Sequence, residues 1–95
     1  MKSKRESGLE DIAKEIKSIR EQAEYAIPVY RKNVDKIIDT QVKSASEIEN
    51  ILDSLLDLCL IGVGDDEFKR LNSYYMSVDS EKAGSYDEFY KSMFE

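Results

Sequence analysis

Glu49, Asp53 and Asp57 follow one another at intervals of four residues, a spacing that stacks three carboxylates along one face of a helix. Such a row could contribute to a divalent-metal site inside a helical bundle. Metal-binding carboxylate bundles, however, add histidine from Glu-x-x-His pairs, and this chain contains no histidine. The favoured reading is a solvated or ion-paired helix face, with Arg31 or Lys32 opposite. A second acidic cluster, Asp65-Asp66-Glu67, lacks the Asp-x-Asp-x-Asp-Gly pattern of a calcium loop. It reads as helix capping, with Asp65 as the cap and Asp66 and Glu67 lining the positive end of the helix. No metal or other cofactor is expected.

Seven of the nine Tyr and Phe residues lie between Phe68 and Phe94, four of them in the adjacent pairs Tyr74–Tyr75 and Phe89–Tyr90. Helical neighbours differ by about 100°, so members of a pair cannot share a face. Either Tyr75 and Tyr90 pack inward while Tyr74 and Phe89 face outward, or the reverse. Core packing accounts for most of this crowding, and exposed members beside acidic residues suit a basic or amphipathic partner. Cys59, the single cysteine, sits in the most apolar stretch and reads as a buried, inert thiol. Catalytic signatures are missing: there is no phosphate-binding glycine loop, no Cys-x-x-Cys and no Gly-x-Ser-x-Gly, and a nucleophilic serine would have no histidine base. An enzyme is not expected.

The 95 residues suffice for one modest core. Charged residues make up 36% of the chain and its net charge is −6. Residues 1–50 hold ten basic and ten acidic side chains, and residues 51–95 hold four and ten, so the whole excess lies in the second half. That half would repel a phosphate backbone and attract basic partners, so nucleic-acid binding is not expected. The acidic opening after the Gly62–Val63–Gly64 turn is also the wrong sign for a recognition helix. No uncharged run approaches the ~20 residues of a membrane span. No apolar segment follows the basic Met1–Arg5, so no secretory signal is expected and a cytoplasmic location is the default.

The elements that position these residues announce themselves by spacing. Apolar residues recur at steps of three and four at Leu9, Ile12, Ile16, Ile19, Ala23, Ala26 and Tyr30, and again at Ala45, Ile48, Leu52, Leu55 and Cys59. This is the seam of helices that pack on helices. Ser7 and Glu10 form a capping box for a first helix over 8–27. Pro28 predicts a kink or break, and a second segment follows over 29–43, where the seam slips by one residue. Overlapping capping boxes (Ser44–Glu47, Ser46–Glu49) open a helix over 46–61 that Gly62 ends. Helices over 66–76 and 80–94 follow, the last capped by Asp79 or Ser80. The fold class is all-α: a small antiparallel bundle with a long, Pro-kinked N-terminal segment and a C-terminal helical hairpin, in one domain over 1–95.

Ile48-Glu49-x-x-Leu52-Asp53-x-Leu55-Leu56-Asp57-Leu58, with Phe68-x-x-Leu71-x-x-Tyr74-Tyr75 and Ala83-x-x-Tyr86-x-x-x-Tyr90, resembles a group of small bacterial all-helical proteins. The resemblance covers the second half of the chain and implies an all-α domain, with no activity to carry over.

The functional expectation is a non-enzymatic protein-interaction module. Asp53, Asp57, Asp65, Asp66, Glu67, Tyr74 and Phe89 are the candidate partner-binding residues, and Leu9–Ala26 is a candidate homodimer seam. The alternative is an acidic decoy or immunity-type inhibitor that occupies a basic nucleic-acid-binding or toxin surface.

Overall fold

Four helices follow one another in a computed structural model that describes the backbone from Lys2 to Glu95 and the side chains of residues 12–15 and 17–95. They are α1 (Lys2–Asp39), α2 (Ala45–Ile61), α3 (Asp65–Val78) and α4 (Ser80–Phe94), and the described residues contain no strand. The side chains of Ser7, Glu10, Leu9 and Ile16 lie outside the described residues. Backbone helix already runs through Ser7, which places that residue inside α1 rather than at its cap.

The expected break at Pro28 is corrected: α1 is one helix of 38 residues with Pro28 inside it. Proline removes one helical hydrogen bond and costs about 3 kcal/mol in a helix interior. The carbonyl left over belongs to Glu24, and Glu24, Pro28 and Val29 are all exposed, so water can serve it. The opposite face buries Ala23, Val34 and Ile37 and half-buries Ile27 and Tyr30. Full burial of an aliphatic side chain contributes roughly 1.5–3 kcal/mol. Several such side chains together outweigh one proline, so packing holds the two expected segments in one continuous helix.

α1 also stops at Asp39, four residues short of the expected Lys43. The stop is a Schellman arrangement: Gln41 N–H donates to the Ile38 carbonyl at 3.2 Å and Val42 N–H to that of Ile37 at 3.0 Å. The residue that turns the corner is Gln41, at φ 52°, a left-handed conformation that favours glycine. Gln41→Gly should therefore stabilise the protein by about 0.5–1 kcal/mol, read as a higher urea midpoint at unchanged slope.

Local signals set the other ends. Ser44 accepts from Glu47 N–H at 3.4 Å and its hydroxyl lies 3.1 Å from that of Ser46, so the earlier capping serine is the one used and α2 starts at Ala45. Gly62, at φ 94°, closes α2 with hydrogen bonds back to Cys59 and Leu58. The expected Asp65 cap is corrected: Asp65 is the first residue of α3, and the capping position is Gly64, at φ 86°, with no side-chain bond. A side chain at Gly64 would also place its Cβ 3.3 Å from Ile27 Cδ1, so glycine serves the close approach of this turn to α1. Asp79 caps α4 by accepting from Lys82 N–H at 3.1 Å.

The core draws on all four helices: Val34 and Ile37 of α1; Ile48, Leu52, Leu55 and Cys59 of α2; Phe68, Leu71 and Tyr75 of α3; Ala83 and Tyr90 of α4. Phe68 and Tyr90 stack with ring centroids 5.2 Å apart, and Tyr90 meets Phe94 at 4.8 Å. Buried Glu67 accepts from Arg31 Nη2 at 3.0 Å, and Arg70 pairs with Asp35, tying α3 to α1. The described residues extend 57 × 26 × 19 Å. At 1.5 Å per residue α1 alone accounts for the long dimension. The turn that ends α2 lies beside Arg20 and Ile27, so α1 runs on past the bundle. Along that overhang, residues 12–15 and 17–22 are all exposed, Ile12 at 54% and Ile19 at 51%.

Candidate functional site

The acidic ladder on α2 meets tyrosines rather than arginine. Tyr75 of α3 donates its hydroxyl to Glu49, and Tyr86 of α4 donates to Asp53 at 2.7 Å. Lys82 Nζ adds an ion pair to Glu49 at 3.8 Å. The expected partner Arg31 is engaged elsewhere, with Glu67. A third hydroxyl, that of Tyr90, donates to Asp65. Each pair places an aromatic ring in or against the core and leaves its polar tip on a carboxylate at the edge, while the Lys82 charge offsets part of the like-charge repulsion of the ladder. No three acidic or thiol side chains converge on a possible metal position among the described residues.

These contacts favour the neutral phenols. Burial first, and then the hydrogen bond to Glu49, pushes the Tyr75 hydroxyl well above its ordinary range. Tyr86 is raised by burial and by its bond to Asp53. Tyr90 is raised chiefly by its bond to Asp65, with burial second. Burial and the Asp65 charge push the Cys59 thiol up to about 12, consistent with an inert buried sulfur. A group whose folded pKa is raised stabilises the fold below its unfolded pKa and loses that contribution as pH rises toward the folded value. Stability should therefore fall once pH passes about 10, where unfolded tyrosines ionise. In an alkaline titration followed at 295 nm and by far-UV circular dichroism, the tyrosinate signal of these three residues should appear only as helix is lost.

The candidate partner-binding residues divide into two groups. Asp65 is bonded to Tyr90, Glu67 is buried beneath Arg31, and Tyr74 is half-buried, its hydroxyl donating to the Val42 carbonyl at 2.8 Å. Lys43 Nζ lies 5.8 Å from the Tyr74 ring. These three serve the fold. Asp66 is exposed and does not line the hollows that hold the remaining candidates. Asp53, Asp57 and Phe89 are the ones brought together.

They meet along a furrow between α2 and α4. The two helices touch through side chains at Glu49–Lys82 and Asp53–Tyr86. Beyond those contacts Leu56, Leu60, Phe89 and Met93 form an apolar floor in two adjoining hollows of ≈ 250 Å³ and ≈ 270 Å³. Leu60 is 60% exposed, Phe89 51% and Met93 45%, while Asp53 and Asp57 form an acidic rim. Neither hollow reaches the ~300–1,000 Å³ of a small-molecule pocket. A shallow apolar strip rimmed by polar groups instead suits a protein surface. Sequence reading missed Leu56, Leu60 and Met93. A signal existed: Leu56 and Leu60 are four residues apart on the flank of the seam, as are Phe89 and Met93, giving each helix a second apolar edge.

A larger hollow of ≈ 310 Å³ between α3 and α4 is lined by charges of both signs, among them Lys69, Asp87, Lys91 and Glu95, with Lys91 paired to Asp87 at 3.1 Å. Its electrostatics favour no single class of ligand. No helix of the described residues is long and apolar enough to cross a membrane. Compared with known proteins, the chain matches no family model, no curated protein and no solved structure.

Proposed function

We propose that this chain is a cytoplasmic, non-enzymatic protein-interaction module that holds an amphipathic helix in the furrow between α2 and α4. The observation that carries this reading is the exposed apolar strip Leu56–Leu60–Phe89–Met93 under an acidic rim. An apolar furrow between two helices is the surface that accepts the apolar face of a third. The acidic rim favours an occupant with lysine or arginine on its flanks and speeds its encounter at low salt. Self-association through the α1 seam, as a dimer, is the second part of the proposal, supported by the exposed Ile12 and Ile19.

The decoy or inhibitor reading draws less support. Of the cluster Asp65-Asp66-Glu67, only Asp66 is free of an internal partner among the described residues. Arg31 offsets the charge of Glu67, so the net charge left there is smaller than the sequence suggests.

The test uses two helical peptides of about 18 residues, long enough to form several turns, one of leucine and lysine and one of leucine and glutamate. Isotope-edited NMR should show the leucine–lysine peptide shifting the methyl and ring signals of Leu56, Leu60, Phe89 and Met93, with little response to the other. Equal responses to both peptides, or shifts centred on another face, would overturn the furrow.

A further inference from the structure

We infer that the helix held between α2 and α4 runs antiparallel to both and is basic on one flank only, with each lysine or arginine directly following an apolar residue in its sequence. The inference rests on the furrow reading of the proposed function and names the partner's chemistry more closely. It begins from the direction of the furrow. Glu49 meets Lys82, Asp53 meets Tyr86, Leu56 shares a hollow with Phe89, and Leu60 shares one with Met93. Partners advance together along both helices, so α2 and α4 are parallel neighbours. At one end α4 begins, and Lys82 cancels the charge of Glu49. At the other, Asp57 lies beside the last turns of both helices, which end at Ile61 and Phe94. Helix N-termini are positive and C-termini negative, so a guest is favoured with its N-terminus at the Leu60–Met93 end.

The rim of the furrow is one-sided. The charged residues that line its hollows are Asp53 and Asp57, both on α2, whereas α4 contributes Ser85, Tyr86, Phe89 and Met93. Glu81 and Glu88 each precede a furrow residue by one position, which turns them about 100° further round α4, away from α2. The two sides also have a fixed hand. Seen along the shared direction, Leu56 and Leu60 lie clockwise of the buried Leu52, Leu55 and Cys59, and Phe89 and Met93 lie counter-clockwise of the buried Ala83 and Tyr90. With solvent above, α2 is therefore on the right and α4 on the left. An antiparallel guest, seen from its own N-terminus with its apolar face down, has α2 on its left. A right-handed helix winds clockwise in that view, so the residue after each apolar position turns toward Asp53 and Asp57, and the residue before it turns toward Ser85. A parallel guest would need the reverse order.

Two peptides of about 21 residues test this on the full chain. One repeats Leu-Lys-Gln-Leu-Lys-Gln-Gln, with lysine after every leucine, and the other is the same sequence reversed, with lysine before every leucine. Composition, charge and apolar face are identical. Titration calorimetry at low salt should show the lysine-after-leucine peptide binding about fivefold tighter, the scale of two exposed ion pairs, with the difference shrinking at high salt. A nitroxide label on the N-terminus of that peptide should broaden the methyl signals of Leu60 and Met93, and one on its C-terminus the ring signals of Tyr86. Equal affinities, a preference for the reversed peptide, a preference undiminished by salt, or the opposite broadening pattern would each overturn the inference while leaving the furrow as a binding surface. Failure of both peptides to shift the furrow signals would overturn the furrow reading and the inference together.

Discussion

Tyr75→Ala should cost roughly 3–5 kcal/mol of folding stability, the range for truncating a large buried aromatic side chain. Tyr75 is fully buried, packs edge-on against Tyr86 with ring centroids 6.4 Å apart, and carries the hydroxyl that meets Glu49. Its removal opens a cavity where α2, α3 and α4 meet. A small domain holds only about 5–15 kcal/mol in total, so the variant should be substantially unfolded at modest urea concentrations. Tyr75→Phe separates the two roles of the side chain. It keeps the ring and deletes one hydrogen bond, and because the Glu49 side chain is 31% exposed, water can replace the lost donor. The expected cost is about 1 kcal/mol. Urea denaturation of both variants checks the difference. Equal losses would mean that the hydroxyl–carboxylate contact, rather than the ring, holds this part of the core.

Phe89→Ala should weaken capture of the leucine–lysine helix by at least about 30-fold, equivalent to ~2 kcal/mol, the size of an interface anchor. Stability should change far less, within about 1 kcal/mol, because Phe89 is 51% exposed in the isolated chain and contributes little to the core. Phe89 lies in both hollows of the furrow, and with Leu60 and Met93 it supplies the exposed apolar surface there. Asp57→Lys should act differently, slowing association at low salt and losing most of its effect at high salt, because a rim charge steers the encounter. Titration calorimetry of the two variants, with thermal melts alongside, distinguishes anchor from rim. A Phe89→Ala variant that binds as tightly as the parent would place the interaction elsewhere.

The helix ends that were legible in the sequence are those decided within one turn of the chain. Gly62 ends α2 because a left-handed residue is needed there, and Asp79 caps α4 because its side chain reaches an N–H three residues on. Neither requires knowledge of distant residues. Pro28 does not break α1 for the complementary reason: its local cost is real, but it is outweighed by burial of Val34 and Ile37 against helices more than ten residues away in sequence. Asp65 misled in the same way. Its position suits a cap, yet its carboxylate is held by Tyr90, which is 25 residues further along the chain.

The candidate site was half visible. Asp53, Asp57 and Phe89 stood out by charge and aromatic type, whereas Leu56, Leu60 and Met93 looked like ordinary members of an apolar pattern. Whether an apolar side chain is core or surface depends on what its helix faces, and composition does not contain that information.

By itself the sequence determined an all-α chain, an apolar seam at helical spacing, and an acidic second half, because periodicity and charge are properties of the chain alone. The tertiary structure decided which carboxylates are consumed by tyrosine hydroxyls or Arg31 and which remain at the rim of the furrow. It also decided where the seam is covered and where Ile12 and Ile19 are left open. These outcomes depend on partners 25–36 residues apart in sequence, and only the packing of four helices at once brings them together.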